Sequence, residues 1–430
     1  RDLHPRVRRQ RQMCIRDRHR IVKEREQEEN KMLQGKTVLL GVTGGIAAYK
    51  MPNVARMLKK MHCNVHVLMT QNATNFITAT TFETLTGNKC LIDTFDRNFE
   101  FSVEHVALAK QADLVLLAPA TANVIGKIAN GIADDMLTTT VMACTCKVLV
   151  APAMNHNMYH NSIVQENLEK LKRHGYEMID PVCGMLANGD TGDGKLPSEE
   201  TLVEYVLREL AFEKDMQGLK VLVTAGPTQE AIDPVRFISN HSTGKMGYAI
   251  AKNAMLRGAE VTLVTGRTAL EPPMFVKTVP VTSAKDMYQA VMECAKEQDI
   301  IVKAAAVADY TPAHTADEKI KKSEGELSLA LEKTTDILAE LGKNKGNTVL
   351  CGFSMETEHM LENSRAKRKK KNLDMIAANN LKQQGAGFAG DTNVLTLITE
   401  DWEKELALMS KDEAAKCLLD ELLKIKKNKK

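Results

Sequence analysis

No stretch of the 430 residues approaches the roughly 20 consecutive apolar positions that a membrane helix needs, so no membrane partner is indicated. A secretory signal, with its apolar core of roughly 7–15 residues, is also missing. There is no strong charge of either sign: 58 Lys and Arg stand against 55 Asp and Glu, for a net +3. Residues 1–34 hold 11 of the bases and 6 of the acids, so the rest of the chain is slightly acidic. That excludes a global nucleic-acid footprint. The nine cysteines are scattered, odd in number and never in C-x-x-C spacing, which excludes a disulfide framework or a zinc ribbon. Cys144 and Cys146, in C-T-C, are too close for the usual zinc pair and are expected to share one strand face. A reduced, cytoplasmic enzyme is the expectation.

What is present fits a globular α/β protein. Apolar residues make up 43% and charged ones 26%, with a mean hydropathy of −0.26. The length exceeds one ordinary core and suits two domains. The first twenty residues are Arg-rich, contain no Ser and show no sustained apolar period. We read 1–34 as a disordered or non-native extension, set apart from the fold. From Lys36 the pattern becomes regular. KTVLLGVT leads to Gly44-Gly45, a helical pattern over 46–61 and a short strand at 65–69. ADLVLLAP (112–119) and CKVLVAP (146–152) repeat the grammar, with helices expected after Thr121 and over 162–174. Continuous apolar strands alternating with helices predict a parallel sheet covered on both faces. A second start, GLKVLVTAGPT (218–228), echoes GKTVLLGVTGG (35–45). Strands are expected at 260–264, 300–304, 349–353 and 394–398, and helices over 247–257, 284–297, 357–370 and 411–424. The charged segment AFEKDMQ (211–217) separates a domain over 35–210 from one over 217–430.

In the first domain, V-T-G-G-I-A-A-Y-K (42–50) is a glycine turn between a strand and a helix, suited to an anionic phosphate. It is not G-x-G-x-x-G, and no acidic residue closes the second strand at Met69-Thr70-Gln71. A nicotinamide-dependent reductase is thereby disfavoured against a mononucleotide site. More specific is A-P-A-T-A-N-V-I-G-K-I-A-N-G-I-A-D-D-M-L (118–137), with Thr121 placed as a helix N-cap. With A-P-A-M-N (151–155) and S-V-E-H (102–105), it resembles the flavin-dependent cysteine decarboxylases. Over residues 35 to about 425, the chain resembles the bifunctional coenzyme A biosynthesis family. In that family, phosphopantothenoylcysteine decarboxylase is fused to phosphopantothenate–cysteine ligase.

The resemblance implies a flavodoxin-like first domain binding FMN through Gly44, Gly45, Thr70, Ala120, Thr121 and Asn123. His105 matches the family's essential histidine, and Asn155 the residue that holds the substrate carboxylate. A flavin suits the chemistry. An aliphatic carboxylate has no electron sink, whereas oxidation of the cysteinyl CH₂–SH to a thioaldehyde provides one for loss of CO₂. The enethiolate left behind must then be protonated and reduced. The family's proton donor is a cysteine in A-C-G-D-x-G-x-G-[RK]; here L-A-N-G-D-T-G-D-G-K (186–195) puts Asn188 in its place. An amide does not donate as a thiol of pKa ~8.5 does. Cys183 is either the stand-in donor or a small buried apolar residue. His156 and His160 have an i, i+4 spacing, but no third ligand accompanies them in the pattern, so no metal site is expected.

The second domain opens on T-A-G-P-T-Q-E-A-I-D-P-V-R-F-I-S-N-H-S-T-G-K-M-G (224–247), a glycine-rich segment entering a helix. Met246 after the Lys rules out a P-loop, yet N–H groups and helix dipole still suit an anion. K-A-A-A-V-A-D-Y (303–310) ends a strand, where open α/β sheets bind ligands. The basic runs K-I-K-K (319–322) and R-A-K-R-K-K-K-N (365–372) read in isolation as solvated faces, and beside a glycine-rich loop as triphosphate partners. By the resemblance, Arg236 and Asn240 contact an acyl-nucleotide intermediate. Lys303, Ala304, Ala305, Asp309, Lys319, Asp336, Phe353, Lys367 and Lys371 serve CTP, and Lys319 also serves the second half-reaction. A carboxylate does not acylate an amine in water. Transfer of CMP to it creates a leaving group that the cysteine amine displaces, with Mg²⁺ neutralising the triphosphate.

Two functions are therefore carried forward. One is ligation of cysteine to 4′-phosphopantothenate with CTP, followed by FMN-dependent decarboxylation to 4′-phosphopantetheine. The other is a ligase alone, carrying a flavin-binding scaffold disabled at Asn188. The resemblance also implies a trimer-based homo-oligomer, up to a dodecamer. Partners are otherwise small molecules.

Overall fold

The computed structural model describes residues 31–94, 104–185, 189, 191–321, 328–356, 359–380 and 390–429. Residues 1–30 of the expected extension lie outside these. Residues 31–34 form a turn in which Leu33 is fully buried and donates its N–H to Met61 O at 3.1 Å, so they belong to the fold. The chain divides into two compact units between residues 212 and 213.

The first unit is built on five parallel strands in the order β2-β1-β3-β4-β5. These are β1 (Thr37–Val42), β2 (Asn64–Met69), β3 (Leu114–Ala120), β4 (Lys147–Pro152) and β5 (Glu177–Met178). β3, LVLLAPA, is buried at every position, which is why it reads as an unbroken apolar run with no alternation. Its side chains meet Val124, Ile125, Leu137, Val141 and Leu168 from the covering helices. The helix expected over 46–61 is split. A 3₁₀ turn, Ile46–Lys50, precedes the α-helix Met51–Lys60, whose second residue, Pro52, has no N–H to give to a preceding turn. The expectation that Cys144 and Cys146 share one strand face is also corrected. Cys144 caps the helix Met136–Ala143 and Cys146 precedes β4, so they occupy a connection. A hairpin of β6 (Val182–Met185) and β7 (Thr191–Lys195) completes the unit with the helix Glu199–Leu210, capped by Ser198.

The second unit carries an eight-stranded sheet in the order β12-β11-β8-β13-β16-β17-β19-β20. β8 (Lys220–Ala225), β11 (Glu260–Thr265), β12 (Lys277–Pro280), β13 (Ile300–Lys303), β16 (Val349–Glu356) and β17 (Met375–Asn380) are parallel. The strand expected over 394–398 is β19 (Leu395–Ile398); it runs antiparallel and, with β20 (Glu403–Glu405), forms an edge whose direction the sequence pattern did not announce. Three two-stranded ribbons pair β9 (Glu230–Ala231) with β10 (Phe237–Ile238), β14 (Tyr310–Pro312) with β15 (Leu331–Lys333), and β18 (Thr392–Asn393) with β21 (Met409–Ser410). The helix Lys245–Leu256 is buried along most of its length between β8 and the long helix Lys411–Asn428.

Candidate functional site

Parallel strands end together, and in the first unit the ends of β1, β2, β3 and β4 converge. Thr43, fully buried after β1, ties two of them. Its hydroxyl donates to Pro119 O at 2.6 Å and accepts the Thr121 N–H at 3.1 Å. Thr121 takes the N-cap backbone of the helix Ala122–Ala129, but its hydroxyl makes no cap bond, contrary to expectation, and lies 3.3 Å from that of Thr43. Thr70 receives the neighbouring turn, its Oγ1 accepting the Ala73 N–H at 3.3 Å. Gly44 sits so close beneath that turn that a Cβ would lie 2.6 Å from Asn72 Cβ, whereas one on Gly45 would meet only Thr121 Cγ2, at 3.6 Å. The result is a strip of bare backbone at a sheet edge. Ala120 is buried beneath it and Asn123 is exposed on the following helix.

Asn155 follows β4. Its Oδ1 accepts the Asn157 N–H at 2.9 Å, which commits the oxygen and leaves the two amide N–H donors for an anion. His105 is half-buried in the first turn of the helix Glu104–Gln111, which runs back into β3 and so begins at the same carboxyl edge. Cys183 is exposed on β6, which overturns the reading of it as a small buried residue. Asn188 lies outside the described residues. The third ligand missing from the His156/His160 pattern is supplied by the fold: Asp193 on β7 places its carboxylate 3.0 Å from His160 Nε2.

In the second unit a cavity of about 310 Å³ opens at the carboxyl ends of β13, β16 and β17. Lys303, Ala304, Ala305, Asp309, Asp336, Phe353, Lys367 and Lys371 all line it, together with the glycine-rich segment 242–247. The helix Lys245–Leu256 approaches β8 closely enough that a Cβ on Gly247 would lie 2.6 Å from Ala225 Cβ. That brings its first turn to the cavity floor. Thr224 and Thr228 hydroxyls accept the N–H groups of Ala305 and Ala308 at 3.1 and 3.0 Å and fix the opposite wall. Lys371 Nζ pairs with Asp336 at 2.7 Å. Loss of water around Lys303, reinforced by the nearby Lys371 charge, pushes its ammonium down to about 8.

Arg236, Asn240 and Lys319 stand outside this lining. Arg236 pairs with the buried Asp233 and donates to Ile320 O at 2.9 Å, bracing the exposed loop that carries Lys319. The Arg236 guanidinium holds the Asp233 carboxyl far below its ordinary range. Asn240 bridges two walls: its Nδ2 donates to Ala306 O at 2.7 Å and its Oδ1 accepts the Ser242 N–H at 3.0 Å. Several lining residues escaped the sequence reading, among them Lys411, Asn393 and Asn379. Lys411 starts the last helix, and burial next to Lys245 pushes its ammonium down to about 8. Asn393 also lines the cavity. Asn379 is 6% exposed, and its Oδ1 has no hydrogen-bond partner among the described residues, so an acceptor is left for a ligand. Nothing in their local sequence marks them; Asn379 lies on β17 of the large sheet, Asn393 on β18 of a separate ribbon and Lys411 at the helix that follows β21.

Comparison with known proteins covers both units. Residues 26–211 match the Flavoprotein family, and residues 216–425 match the family described as DNA/pantothenate metabolism flavoprotein C-terminal domain. The chain is 45% identical over 400 residues to the coenzyme A biosynthesis bifunctional protein CoaBC of Bacillus subtilis (strain 168), covering 92% of this chain and 98% of that one. To the protein of the same name from Escherichia coli (strain K12) it is 42% identical over 395 residues, covering 91% and 97%. Among solved structures, the C-terminal domain of a CoaBC protein is 41% identical, covers 50% of this chain and all of its own, and superposes with a TM-score of 0.44.

Proposed function

The chain belongs to the coenzyme A biosynthesis bifunctional proteins, and from that premise we propose which side chains run its two reactions. It is an enzyme of coenzyme A biosynthesis with decarboxylase and ligase activities on one polypeptide. The ligase-only reading is not favoured, because relatives carrying the bifunctional name match across both units.

For the ligase, the observation that carries the reading is the lysine-lined cavity at the start of the helix Lys245–Leu256. Lys303, Lys367, Lys371 and Lys411 surround it with positive charge, beside the glycine-rich segment 242–247 at the helix start. That combination suits the triphosphate of CTP, bound as its Mg²⁺ complex, with Phe353 and Asn379 left for the base and ribose. The carboxylate of 4′-phosphopantothenate attacks the α-phosphorus, pyrophosphate leaves, and an acyl-cytidylate forms. The cysteine amine then attacks the acyl carbon and CMP departs. Asn240 uses one donor and one acceptor within the protein, so one N–H and one lone pair remain to orient the intermediate, with Arg236 bracing the loop of Lys319 beside it.

For the decarboxylase, the bare backbone at Gly44 and Gly45, roofed by Thr70 and Thr121, fits the phosphate of FMN. Ala120 and Asn123 continue that edge. The family name and solved relatives described as FMN-dependent cysteine decarboxylases support the same cofactor. Bound FMN supplies a reversible two-electron acceptor for the cysteinyl CH₂–SH. The free N–H donors of Asn155 hold the substrate carboxylate, His105 takes the proton that the thiol gives up as its carbon is oxidised, and the exposed Cys183 thiol returns one to the enethiolate. Large apolar side chains exposed in this unit, among them Ile46, Tyr49 and Met158, suit burial in a homo-oligomer, which the family resemblance makes trimer-based. The described cysteines are free thiols, as a reducing cytoplasm would keep them.

The test is reciprocal loss, followed by mass spectrometry on the full chain. Asn240→Asp should abolish ligation and leave decarboxylation of supplied 4′-phosphopantothenoylcysteine intact. His105→Asn should stop CO₂ release with ligation and bound flavin retained, and Cys183→Ser should accumulate the enethiol. Equal loss of both activities in Asn240→Asp or His105→Asn sinks the two-site assignment.

A further inference from the structure

Beside the first-unit edge, three ligating side chains meet that neither reaction uses. His156 and His160 are one turn apart on and just after the short helix His156–Tyr159, and their rings meet at a tilt of 59° with centroids 4.4 Å apart. Asp193 arrives from β7, 33 residues further on, and its Oδ2 lies 3.0 Å from His160 Nε2. One ligand atom from each of the three lies within 4.8 Å of the other two.

The strand is fixed where it is. Met154 donates its N–H to Gly194 O at 3.0 Å, and Asp193 donates its own N–H to His156 Nδ1 at 3.2 Å. Gly192 is pressed against the imidazole, so that a Cβ there would lie 2.9 Å from His156 Cγ. The His156 Nδ1 lone pair is therefore directed at the strand that carries the carboxylate. The His160 and Asp193 side chains, 49% and 43% exposed, keep room to turn and leave a path for a hydrated ion.

We propose that His156, His160 and Asp193 form a binding site for a borderline divalent transition ion, Zn²⁺ foremost, with water as the fourth ligand. Two imidazole nitrogens and one carboxylate oxygen match that ion class, whereas Mg²⁺ and Ca²⁺ take oxygen ligands. Tetrahedral zinc with bonds of about 2.0–2.2 Å wants its ligand atoms roughly 3.4 Å apart. Small rotations of the two exposed side chains close the present separations to that value. The ion takes the His156 Nδ1 lone pair in place of the Asp193 N–H and clamps β7 to the turn that follows Asn155.

The test uses the full chain, stripped of metal and titrated with Zn²⁺ against a chromophoric chelator, beside His160→Gln and Asp193→Asn. Loss of a direct ligand should weaken the site by at least the tenfold or so that loss of a supporting residue costs. The wild type should thus hold one more tight equivalent than either variant. X-ray absorption at the zinc edge of the one-equivalent complex should show a nitrogen and oxygen shell with imidazole scattering. Melting temperatures in chelator identify folded variants, and both substitutions fall on exposed side chains. Unchanged stoichiometry and affinity in both folded variants, or a first shell containing sulfur, overturns the proposal.

Discussion

At the level of single side chains, the ligase cavity sets a pH limit on its own substrate. Lys303 and Lys411 both have ammonium groups pushed down to about 8, the first by loss of water and then by Lys371, the second by burial and then by Lys245. Each is a cation below that pH and neutral above it, so the attraction for a triphosphate fades as the solution becomes alkaline. The KM for CTP should climb between pH 8 and 9, and Lys303→Met and Lys411→Met should each flatten part of that rise. A KM that stays level in the wild type would remove these lysines from triphosphate binding. Of the residues around this cavity, the sequence made legible those that sit in runs. Lys303 to Asp309 and Lys367 with Lys371 are examples, because a strand end or a basic helix turn presents neighbours together. Asn379 and Lys411 were not legible: one lies near the end of a strand and the other at a helix start, with no motif around either, and only the tertiary fold brings them to the same space. Asp193 escaped for the same reason, since a hairpin and not a spacing brings it to His160.

Among the elements, the parallel strands were legible because burial on both faces forces continuous apolar runs, as in β3 and β8. The antiparallel direction of β19 and the presence of β20 were not. β20 is three exposed charged residues, EKE, whose strand character comes entirely from pairing with β19. Nor did the helical pattern over 46–61 reveal its break, because apolar periodicity is the same in a 3₁₀ turn too short to lose phase. The contact between β8 and the helix Lys245–Leu256 is close. Gly247→Ala would set a methyl 2.6 Å from Ala225 Cβ and 2.9 Å from Thr224 O. Overpacking of that kind costs about 1–3 kcal/mol. The roughly 1 kcal/mol that Ala gains over Gly within a helix offsets only part of it. The variant should melt earlier and bind CTP more weakly, because the helix start that meets the triphosphate is displaced. Unaltered melting and CTP affinity would show that the helix moves aside without cost.

For the whole molecule, two units with separate sheets and separate ligands should respond to those ligands separately. A ligand stabilises only the unit whose folded state it binds, by about 2.7 kcal/mol at a hundred times its Kd. Calorimetry should resolve two transitions, one raised by FMN and the other by MgCTP. A single transition raised by both would mean that the units unfold as one. Within the second unit, Asn240 has a different reach. One side chain holds the anion-facing loop at Ser242 and the opposing wall at Ala306, so neither can shift without pulling on the other. Filling one side of the cavity prepares the other, and the co-substrates should act in synergy: saturation with 4′-phosphopantothenate sharpens the grip on CTP. Nucleotide that arrives alone meets a loosely set active site, and the cell's CTP is spared idle turnover.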